Sequence, residues 1–369
     1  MTQSGIPSGP LSTIGVISGT SMDGIDVAWI ETDGEMLVRP RSGETFDYPS
    51  DLRARLLDFL KDPSRAERDP LDDLEDMVTA AFGDAIAAFM AARGLANSDI
   101  DLIGLHGQTI YHRPERRFTR QLGRGQAIAR RLDIPVVDHF RMADVASGGH
   151  GAPFAPLYHA ALARELSQPV MVLNLGGVGN VTYIDGETII AFDTGPASAM
   201  IDDIVMRRFG QRFDDGGRIA RSGKVDADVL ARLMDNPFFA MPAPKSLDRN
   251  DFHARARIVE TLPDADAVAT LAAFTIEATV ASLAHVPSPP QRWLVTGGGR
   301  HNQTFMDGLR TRLRVPVEPV EAVGWNGDHL EAECFGYLAA RSRRGLPLSL
   351  PTTTGVPHPM PGGRYWQAA

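Results

Sequence analysis

The strongest structural signal in the chain is Ile14-Gly-Val-Ile-Ser-Gly-Thr-Ser-Met-Asp-Gly-Ile-Asp26. It opens with a short apolar run, as in a buried central strand, and continues with glycine and hydroxyl residues. The apolar run Val27-Ala-Trp-Ile30 follows, then Asp33-Gly34 and a further apolar run at 36–38. Asp-Gly between two apolar runs favours a hairpin, because both turn positions tolerate a positive φ. The segment therefore predicts a strand, a glycine-rich loop and two further strands joined by a tight turn.

The same order of elements returns about half the chain later. The second copy consists of Val170–Leu175, the loop Gly176-Gly-Val-Gly-Asn180, the run 181–184, Asp185-Gly186 and the run 188–192. A repeat over such a distance predicts two similar α/β domains. Two more apolar runs, 100–105 and 293–296, also end in glycine-rich polar loops. Ligands gather at such strand ends in open α/β sheets, so these loops are the candidate site.

Apolar residues at three- and four-residue steps predict helices between the strands. The spacing is clearest over 71–90 and 267–278, and a further helix is predicted after Pro196. We interpret these stripes as core-facing packing surfaces. The proline-rich stretch 287–290 and the tail 351–363 predict loops or a poorly packed terminus.

The composition limits the class of protein. A chain of 369 residues has room for two domains of roughly 150 residues each. Acidic residues outnumber basic ones by 46 to 37, which argues against a nucleic-acid-binding function. The single cysteine, Cys334, excludes an intrachain disulfide. We find no export signal and no run of the roughly 20 apolar residues that span a bilayer. We therefore expect a cytoplasmic enzyme that binds neither nucleic acid nor a membrane.

The loop from Gly19 to Asp26 suits an anion. Its glycines let backbone N–H groups turn toward a phosphate, and Thr20 and Ser21 add hydroxyl donors. Asp23 and Asp26 are able to order water around a divalent ion, since Mg²⁺ takes few direct carboxylates. The alternative is a hairpin turn that needs glycine only for its geometry. No Gly-Lys-Ser/Thr follows, so this is not a Walker A loop.

Phe192-Asp-Thr-Gly-Pro196 ends a predicted strand just before a predicted helix. One interpretation is structural: Asp193 or Thr194 caps the helix, worth about 1 kcal/mol. The other is functional, with Asp193 as a general base or the loop as a second phosphate contact. The matching position of the loop in the second repeat favours function.

The loop Gly297-Gly-Gly-Arg-His-Asn302 lets a ring or a phosphate approach the backbone closely. A dinucleotide-binding motif fails, because Asn302 stands where the third glycine is required. The spacing of His106, His112 and His150 matches no zinc site. There is no Gly-x-Ser-x-Gly elbow, and Cys334 fits a helix core better than a nucleophile.

The chain resembles the anhydro-N-acetylmuramic acid kinase family, within the actin-like, Hsp70-like ATPase superfamily of sugar kinases. The matching motifs, specific together and in this order, are Ser18-Gly-Thr-Ser-Met-Asp-Gly-Ile-Asp26, His106-Gly-Gln-Thr109 with His112-Arg-Pro114, Asp144-Val-Ala146 with Gly148-Gly-His-Gly-Ala-Pro153, Leu173-Asn-Leu-Gly-Gly177 with Asn180, Phe192-Asp-Thr-Gly-Pro196, Pro244-Lys-Ser246, Gly297-Gly-Gly-Arg-His-Asn302 and Gly327-Asp-His-Leu-Glu-Ala332.

The resemblance implies an α/β fold of two actin-like (ribonuclease H-like) domains with an ATP cleft between them. We expect the first domain over 11–139 plus about 340–369, the second over 140–339, and a flexible N-terminus over 1–10. The implied reaction uses ATP and Mg²⁺ to open the 1,6-anhydro ring of 1,6-anhydro-N-acetylmuramic acid with water and to phosphorylate O6. The products are N-acetylmuramate 6-phosphate and ADP, in cell-wall recycling. The resemblance also suggests a homodimer.

The resemblance assigns the base to Asp193. The residues expected at ATP are Gly19, Thr20, Ser21, Met22, Asp23, Gly24, Ile25, Asp26, Gly176, Gly177, Gly195, Gly297, Gly298, Gly299 and Asn302. Gln108, Arg141 and Glu331 are expected to contact the sugar, Arg141 facing the lactyl carboxylate because of its charge. Mg²⁺ is expected to accompany ATP, with Asp23 contributing through water.

Two residues depart from the family pattern. Arg124 stands where an acid is usual, and His139 precedes Phe140-Arg141 where aspartate is favoured. These changes leave the substrate open, and two other functions remain as alternatives. The first is a kinase of another hexose, amino sugar or anhydro sugar on the same fold. The second is a non-catalytic, nucleotide-gated binding module, which an intact Asp193 disfavours.

Overall fold

The structure is a computed structural model that describes residues 9–19, 22, 24–247, 252 and 255–368. It divides into two compact units. Unit 1 is formed by the described parts of Met1–Leu162 and His329–Ala369, and unit 2 by those of Ala163–Asp328. The first eight residues of the predicted flexible N-terminus lie outside the described part.

The unit boundaries differ from the predicted ones near residues 139 and 340. The segment 140–162 lies in unit 1, and so does 329–339. Side-chain packing explains this assignment. The rings of Phe140 and Phe335 lie 5.2 Å apart, and the Tyr158 hydroxyl donates to Oε2 of Glu333 over 2.8 Å. Both pairs are buried, so these segments share one core.

Unit 1 is built on one mixed sheet. Its strands are β1 (Leu11–Ser18), β2 (Ile25–Thr32), β3 (Val38–Phe46), β4 (Leu102–Arg113), β5 (Phe118–Leu122), β6 (Val136–Asp138) and β12 (Arg364–Trp366). The order is β12-β6-β4-β1-β2-β3, with β5 paired to β4. Strands β1, β2 and β3 are antiparallel neighbours, whereas β4 and β6 run parallel to β1.

Unit 2 repeats this topology. Its strands are β7 (Val170–Leu175), β8 (Val178–Asp185), β9 (Thr188–Pro196), β10 (Arg292–Thr296) and β11 (Val317–Pro319). The order is β11-β10-β7-β8-β9, with an antiparallel β7-β8-β9 meander and parallel β10 and β11. The predicted repeat, and with it the prediction of two actin-like α/β domains, is confirmed.

Helices lie around these sheets. In unit 1 they are α1 (Ser50–Phe59), α2 (Asp72–Ala92), α3 (Gly125–Leu132), α4 (Met142–Ala146), α5 (Pro156–Leu162), α11 (Leu330–Arg343) and α12 (Pro351–Thr354). In unit 2 they are α6 (Ser198–Phe209), α7 (Arg218–Ser222), α8 (Ala227–Met234), α9 (Asp264–Ala281) and α10 (Gln303–Leu313). The three predicted helices correspond to α2, α6 and α9, and their apolar stripes face the cores.

Glycines in the central strands let α11 lie close to the sheet of unit 1. A Cβ on Gly15 would lie 1.8 Å from the carbonyl oxygen of Ala332, and one on Gly104 would lie 2.0 Å from that of Phe335. No real side chain fits at such distances, so the first turns of α11 are seated directly against β1 and β4. This seating determines where Glu331 stands.

The stretch Asp264–His285 is long and apolar enough to cross a membrane by length and composition, but 67% of its most apolar window is buried inside the protein, as in the core helix of a unit.

The C-terminal tail is better packed than predicted. Val356 is 1% exposed, and β12 pairs with β6 through Trp366 and Val136.

Candidate active site

The glycine-rich loop of unit 1 connects the antiparallel strands β1 and β2. In its described part, the Met22 N–H donates to the carbonyl of Gly19 over 3.1 Å. Met22 takes a left-handed φ of 56° and its side chain is fully buried, which anchors this residue of the loop in the core. Thr20, Ser21 and Asp23 lie outside the described residues. The hairpin geometry is therefore present, and the contact with phosphate stays a prediction.

The loop ends where β2 begins. A Cβ on Gly24 would lie 2.5 Å from Cγ2 of Thr45 on β3, so glycine is needed for packing at this position. Ile25 is buried in the core. Asp26 is the first partly exposed carboxylate after the loop and accepts a hydrogen bond from Thr45 Oγ1 over 2.6 Å. Of the residues expected at ATP on β2, Asp26 is therefore the one whose side chain can reach a ligand.

Gln108 stands beside this loop rather than in an open site. Its side chain is completely buried, and its Oε1 accepts the hydroxyl of Tyr48 over 3.0 Å. Its Nε2 donates to the carbonyls of Gly19 and Thr109, over 3.3 and 3.1 Å. A side chain with these partners and no solvent access is not presented to a sugar. In this structure Gln108 supports the glycine-rich loop, which differs from the predicted sugar contact.

Arg141 precedes α4, and its guanidinium is held on two sides. Nε donates to Nε2 of His106 over 2.7 Å, and Nη1 donates to the carbonyl of Gly151. His106 must be neutral to accept this bond. Burial, followed by the charge of Arg141, lowers the pKa of His106 well below its usual value, and its Nδ1 lies 2.8 Å from the Gly107 carbonyl. Nη2 of Arg141 has no hydrogen-bond partner among the described residues, so one edge of the guanidinium is open to an anion.

Asp144 stabilises the loop that contains Gly151, whose carbonyl accepts the hydrogen bond from Arg141. Its Oδ1 accepts the Gly151 N–H over 2.7 Å. Its Oδ2 accepts the hydroxyls of Ser349 and Thr354, over 2.5 and 2.6 Å. The carboxylate is buried and fully bonded, so it is a structural support for Gly151. The sequence motif contained Asp144 and Gly151, but Ser349 and Thr354 lie about 200 residues away and could not be inferred as partners.

Glu331 lies in the first turn of α11, with its side chain exposed to solvent. The side chain keeps access to solvent, but the surrounding protein displaces part of its water and thereby raises the pKa of Glu331. The positive charge of Arg141 opposes this rise. The two groups thus interact electrostatically, yet no ion pair within 4 Å joins them among the described residues. Arg141 and Glu331 therefore stand together in unit 1 as a cation and an anion with unused bonding capacity.

Asp193 is the central residue of the site in unit 2. It lies within β9, which continues to Pro196, so it does not stand at a helix N-terminus. Helix α6 starts later, and Ala197 occupies its N-cap. Gly195 pairs with Gly179 and Asp193 with Asn180, which leaves Thr194 as the extra residue of a β-bulge. Bulges re-aim neighbouring side chains, which is a frequent feature of active sites.

The carboxylate of Asp193 is half-buried and hydrogen-bonded. Its Oδ2 accepts the Leu247 N–H over 2.7 Å and lies 3.5 Å from the Ser246 hydroxyl. Burial raises the pKa of Asp193 to about 6, against these two hydrogen bonds, which lower it. A carboxylate with a pKa near neutrality holds a proton more readily than an exposed one, which suits a general base.

The paired glycines of unit 2 shape the start of α6. Gly176 and Gly177 form the tight connection between β7 and β8. Their carbonyls accept N–H groups of Ser198 and Ala197, over 3.0 and 3.1 Å. Gly195 takes a φ of 149° that side chains rarely adopt. These residues bring β7, β9 and α6 together, and their contact with ATP stays a prediction.

The glycine loop after β10 is close-packed on one side and open on the other. A Cβ on Gly297 would lie 2.3 Å from Oδ1 of Asn174, and one on Gly299 would lie 2.5 Å from Cβ of Leu175. At Gly298 nothing lies within 4 Å, so this is the position where a ligand can approach. Asn302 is the N-cap of α10, and its Oδ1 accepts the Thr304 and Phe305 N–H groups. That oxygen is therefore already used within the protein.

The two departures from the family pattern have local partners in unit 1. Arg124 reaches the acidic residues of α2 and pairs with Asp72 over 2.6 Å and with Asp76. Nδ1 of His139 lies 2.7 Å from Oδ1 of Asp138, and this close carboxylate raises the pKa of His139. Each side chain thus interacts with a neighbouring carboxylate. This contact accounts for the charge of the side chain without a change of substrate.

The fold and these groups of residues define a two-domain, actin-like protein of the sugar-kinase type. A sequence model described as anhydro-N-acetylmuramic acid kinase matches residues 11–366. The chain belongs to the anhydro-N-acetylmuramic acid kinase family.

Similar curated proteins agree with this assignment. A protein named anhydro-N-acetylmuramic acid kinase from Nitrobacter winogradskyi is 48% identical, covering 96% of this chain and 98% of its own. One of the same name from Acidiphilium cryptum is 51% identical with the same coverage. A solved structure, the (R)-2-hydroxyglutaryl-CoA dehydratase component A of Acidaminococcus fermentans, is 10% identical, covering 90% of this chain and 99% of that one, at a TM-score of 0.49. A likeness this remote bears on neither the activity nor the ligand.

Proposed function

We propose that this protein is an ATP-dependent kinase that opens the 1,6-anhydro ring of 1,6-anhydro-N-acetylmuramic acid and phosphorylates O6. It acts in the cytoplasm, in the recycling of cell-wall sugars, and a homodimer is the proposed assembly. The observation that carries the proposal is Asp193: a half-buried carboxylate held by the Leu247 N–H, with a pKa of about 6, in a chain of this family.

The proposed reaction balances with one water. An anhydro sugar has no free O6 hydroxyl, so the C1–O6 bond must break as O6 takes up the γ-phosphoryl group. Asp193 accepts a proton from the water that attacks C1, and the remaining hydroxide becomes the C1 hydroxyl. The bond between the γ-phosphorus and the bridging oxygen breaks, and ADP leaves. The proton on Asp193 then returns to solvent.

The proposed nucleotide contacts come from the two glycine loops. Backbone N–H groups of the Gly19 loop face the phosphates, and the open side of Gly298 faces the adenosine. When bound together with ATP, Mg²⁺ would spread the charge of the transferred group. The described residues contain no cluster of three metal-ligating side chains. Asp26 offers one carboxylate for a hydrated ion, and the predicted role of Asp23 remains part of the proposal.

The proposed sugar contacts are Arg141 and Glu331. The unpaired Nη2 edge of Arg141 suits the lactyl carboxylate, because a guanidinium binds carboxylates through parallel N–H bonds. His106 and Gly151 fix the direction of that edge. Glu331 accepts hydrogen bonds from sugar hydroxyl or amide groups. A neutral hexose cannot form a charge-assisted pair with Arg141, so the site favours an acidic sugar.

The test is ADP release with Mg²⁺ and ATP on 1,6-anhydro-N-acetylmuramate. N-acetylmuramate, N-acetylglucosamine, glucose and levoglucosan serve as controls. We expect turnover on the anhydromuramate alone, and in H₂¹⁸O the label should appear at C1 of the product. Turnover on a free hexose without ¹⁸O uptake would instead identify an ordinary hydroxyl kinase. ATP binding without ADP release on any of these sugars would point to a binding module.

A further inference from the structure

In the motif Pro244-Lys-Ser246, the hydroxyl of Ser246 lies near Asp193, whereas Lys245 has no part in the site described so far. This lysine is unusual, because the chain has 37 basic residues and only three of them are lysines: Lys61, Lys224 and Lys245. Lys245 is also buried, with 5% of its surface exposed. Burying an ammonium group costs free energy unless its donors are bonded. A buried lysine in an arginine-rich chain therefore calls for a specific set of acceptors.

The acceptors come from a 3₁₀ helix, Pro237–Ala240. Nζ of Lys245 donates to the carbonyl of Phe238 over 2.9 Å and to that of Phe239 over 3.3 Å. It also lies 3.1 Å from Nε2 of His285 and 4.7 Å from the ring centre of Phe238. The ammonium is thus directed into the protein, and it is not available to a phosphate.

The main chain around Lys245 forms two hydrogen bonds with Asp193. The Asp193 N–H donates to the carbonyl of Lys245 over 2.9 Å, along the free edge of β9. Two residues further, the Leu247 N–H donates to Oδ2 of Asp193 over 2.7 Å. The segment 245–247 therefore bonds both the backbone and the carboxylate of Asp193.

We propose that Lys245 is a positioning residue for Asp193: its buried ammonium anchors the segment 245–247 to the 3₁₀ helix and thereby holds the Leu247 N–H against the carboxylate. The inference rests on the proposed function only in treating Asp193 as the base. A lysine suits this role, because its compact ammonium can donate to two adjacent carbonyls, whereas a guanidinium is planar and larger.

The test compares K245M and K245Q with the wild-type protein. Methionine keeps the volume of the side chain and removes all its donors. Glutamine keeps one N–H donor group for the Phe238 carbonyl, and it provides a folded variant should K245M not fold. The pKa of Asp193 is read from the carboxyl ¹³C signal of protein labelled at aspartate Cγ, assigned by its absence in D193N. The pH dependence of kcat on the anhydromuramate is measured in parallel.

Loss of the anchor is expected to weaken the bond from Leu247, and the pKa of Asp193 then rises because that bond lowers it. We expect a rise of about one unit in K245M and a smaller one in K245Q, with the acidic limb of kcat moving by the same amount. At pH 7, kcat falls about 10- to 100-fold in K245M, as is typical for a displaced catalytic group. The KM for ATP stays within about twofold, because the ammonium does not contact nucleotide.

The control is L309A, which removes a buried apolar side chain from α10 in the same unit. It should lower the stability and leave the pKa of Asp193 unchanged. If a folded K245M or K245Q keeps the wild-type pKa of Asp193, the positioning role is refuted. The failure of the proposed function gives a different pattern: D193N then retains full turnover, whereas the ¹³C titration still reports on Lys245.

Discussion

Replacing Asp193 by asparagine should have two separate effects: a loss of catalytic rate and a gain in the stability of the folded protein. Asparagine has nearly the same shape, and its Oδ1 can still accept the Leu247 N–H. It cannot take a proton from water. A general base contributes about 10²- to 10⁴-fold to a rate, so kcat of D193N on the anhydromuramate is expected to fall by that factor.

The stability is expected to change in the opposite direction. The pKa of Asp193 is about 6 in the folded protein against an ordinary 3.8, so the folded state binds this proton more tightly than the unfolded state does. The stabilisation that this bound proton gives to the folded state is complete below pH 3.8, and it is lost as the pH rises to about 6. The full shift corresponds to about 3 kcal/mol, and because the half-buried carboxylate is partly screened by water we expect about 1–2 kcal/mol.

Urea unfolding and steady-state kinetics measure the two effects. D193N should be more stable than the wild-type protein at pH 7.5, and the difference should shrink at pH 4. For the wild type, a pKa of about 6 predicts a kcat about tenfold higher at pH 7 than at pH 5, from ionised fractions of about 0.9 and 0.1. Turnover of D193N within twofold of wild type would show that Asp193 is not the base, and an equal stability of the two proteins at pH 7.5 would show that its ionised carboxylate does not destabilise the fold.

Four further variants test other parts of the structure. R141M should raise the KM for the anhydromuramate about tenfold or more and leave the KM for ATP unchanged, because a lost charge-assisted bond costs about 1.5–3 kcal/mol; initial rates at varied sugar and ATP check this. G15A should prevent folding, because its Cβ would lie 1.8 Å from a backbone oxygen, whereas G298A, with nothing within 4 Å, should keep the wild-type unfolding midpoint and raise the KM for ATP. Equal ATP kinetics in G298A would remove this loop from the nucleotide site. D144N should lose about 2–4 kcal/mol of stability, since three donors share its carboxylate; a loss below about 0.5 kcal/mol in urea unfolding would contradict this.

The repeat of the strand–loop–hairpin unit was predictable because it depends on local patterns. Apolar runs alternate with glycine and Asp-Gly turns, and these patterns act over a few residues. The same patterns identified Asp193 at a strand end. They did not show that β9 continues past it, since the bulge at Thr194 is set by pairing with β8. The interpretation of Asp193 as a helix cap was wrong for this reason.

The roles of polar side chains were less predictable than the strands. Gln108 follows a buried strand, as a ligand-binding residue does, yet its partners are Tyr48 and the Gly19 carbonyl. Arg124 has the opposite charge to the acid expected there, yet it pairs with acids on α2. These partners are separated from them by about 50 to 90 residues of sequence, and only the folded chain brings them together.

Local patterns in the chain were enough to establish the two α/β repeats, the family and the residue types available for the chemistry, because periodicity, turn residues and motifs depend on neighbouring positions. The role of each polar group became visible only in the folded protein. Folding left one edge of Arg141 open, buried Gln108, and directed the ammonium of Lys245 into the protein. The physical reason is that the hydrogen-bond partners and the water around a side chain are set by distant segments, and these determine both its pKa and whether it can reach a ligand.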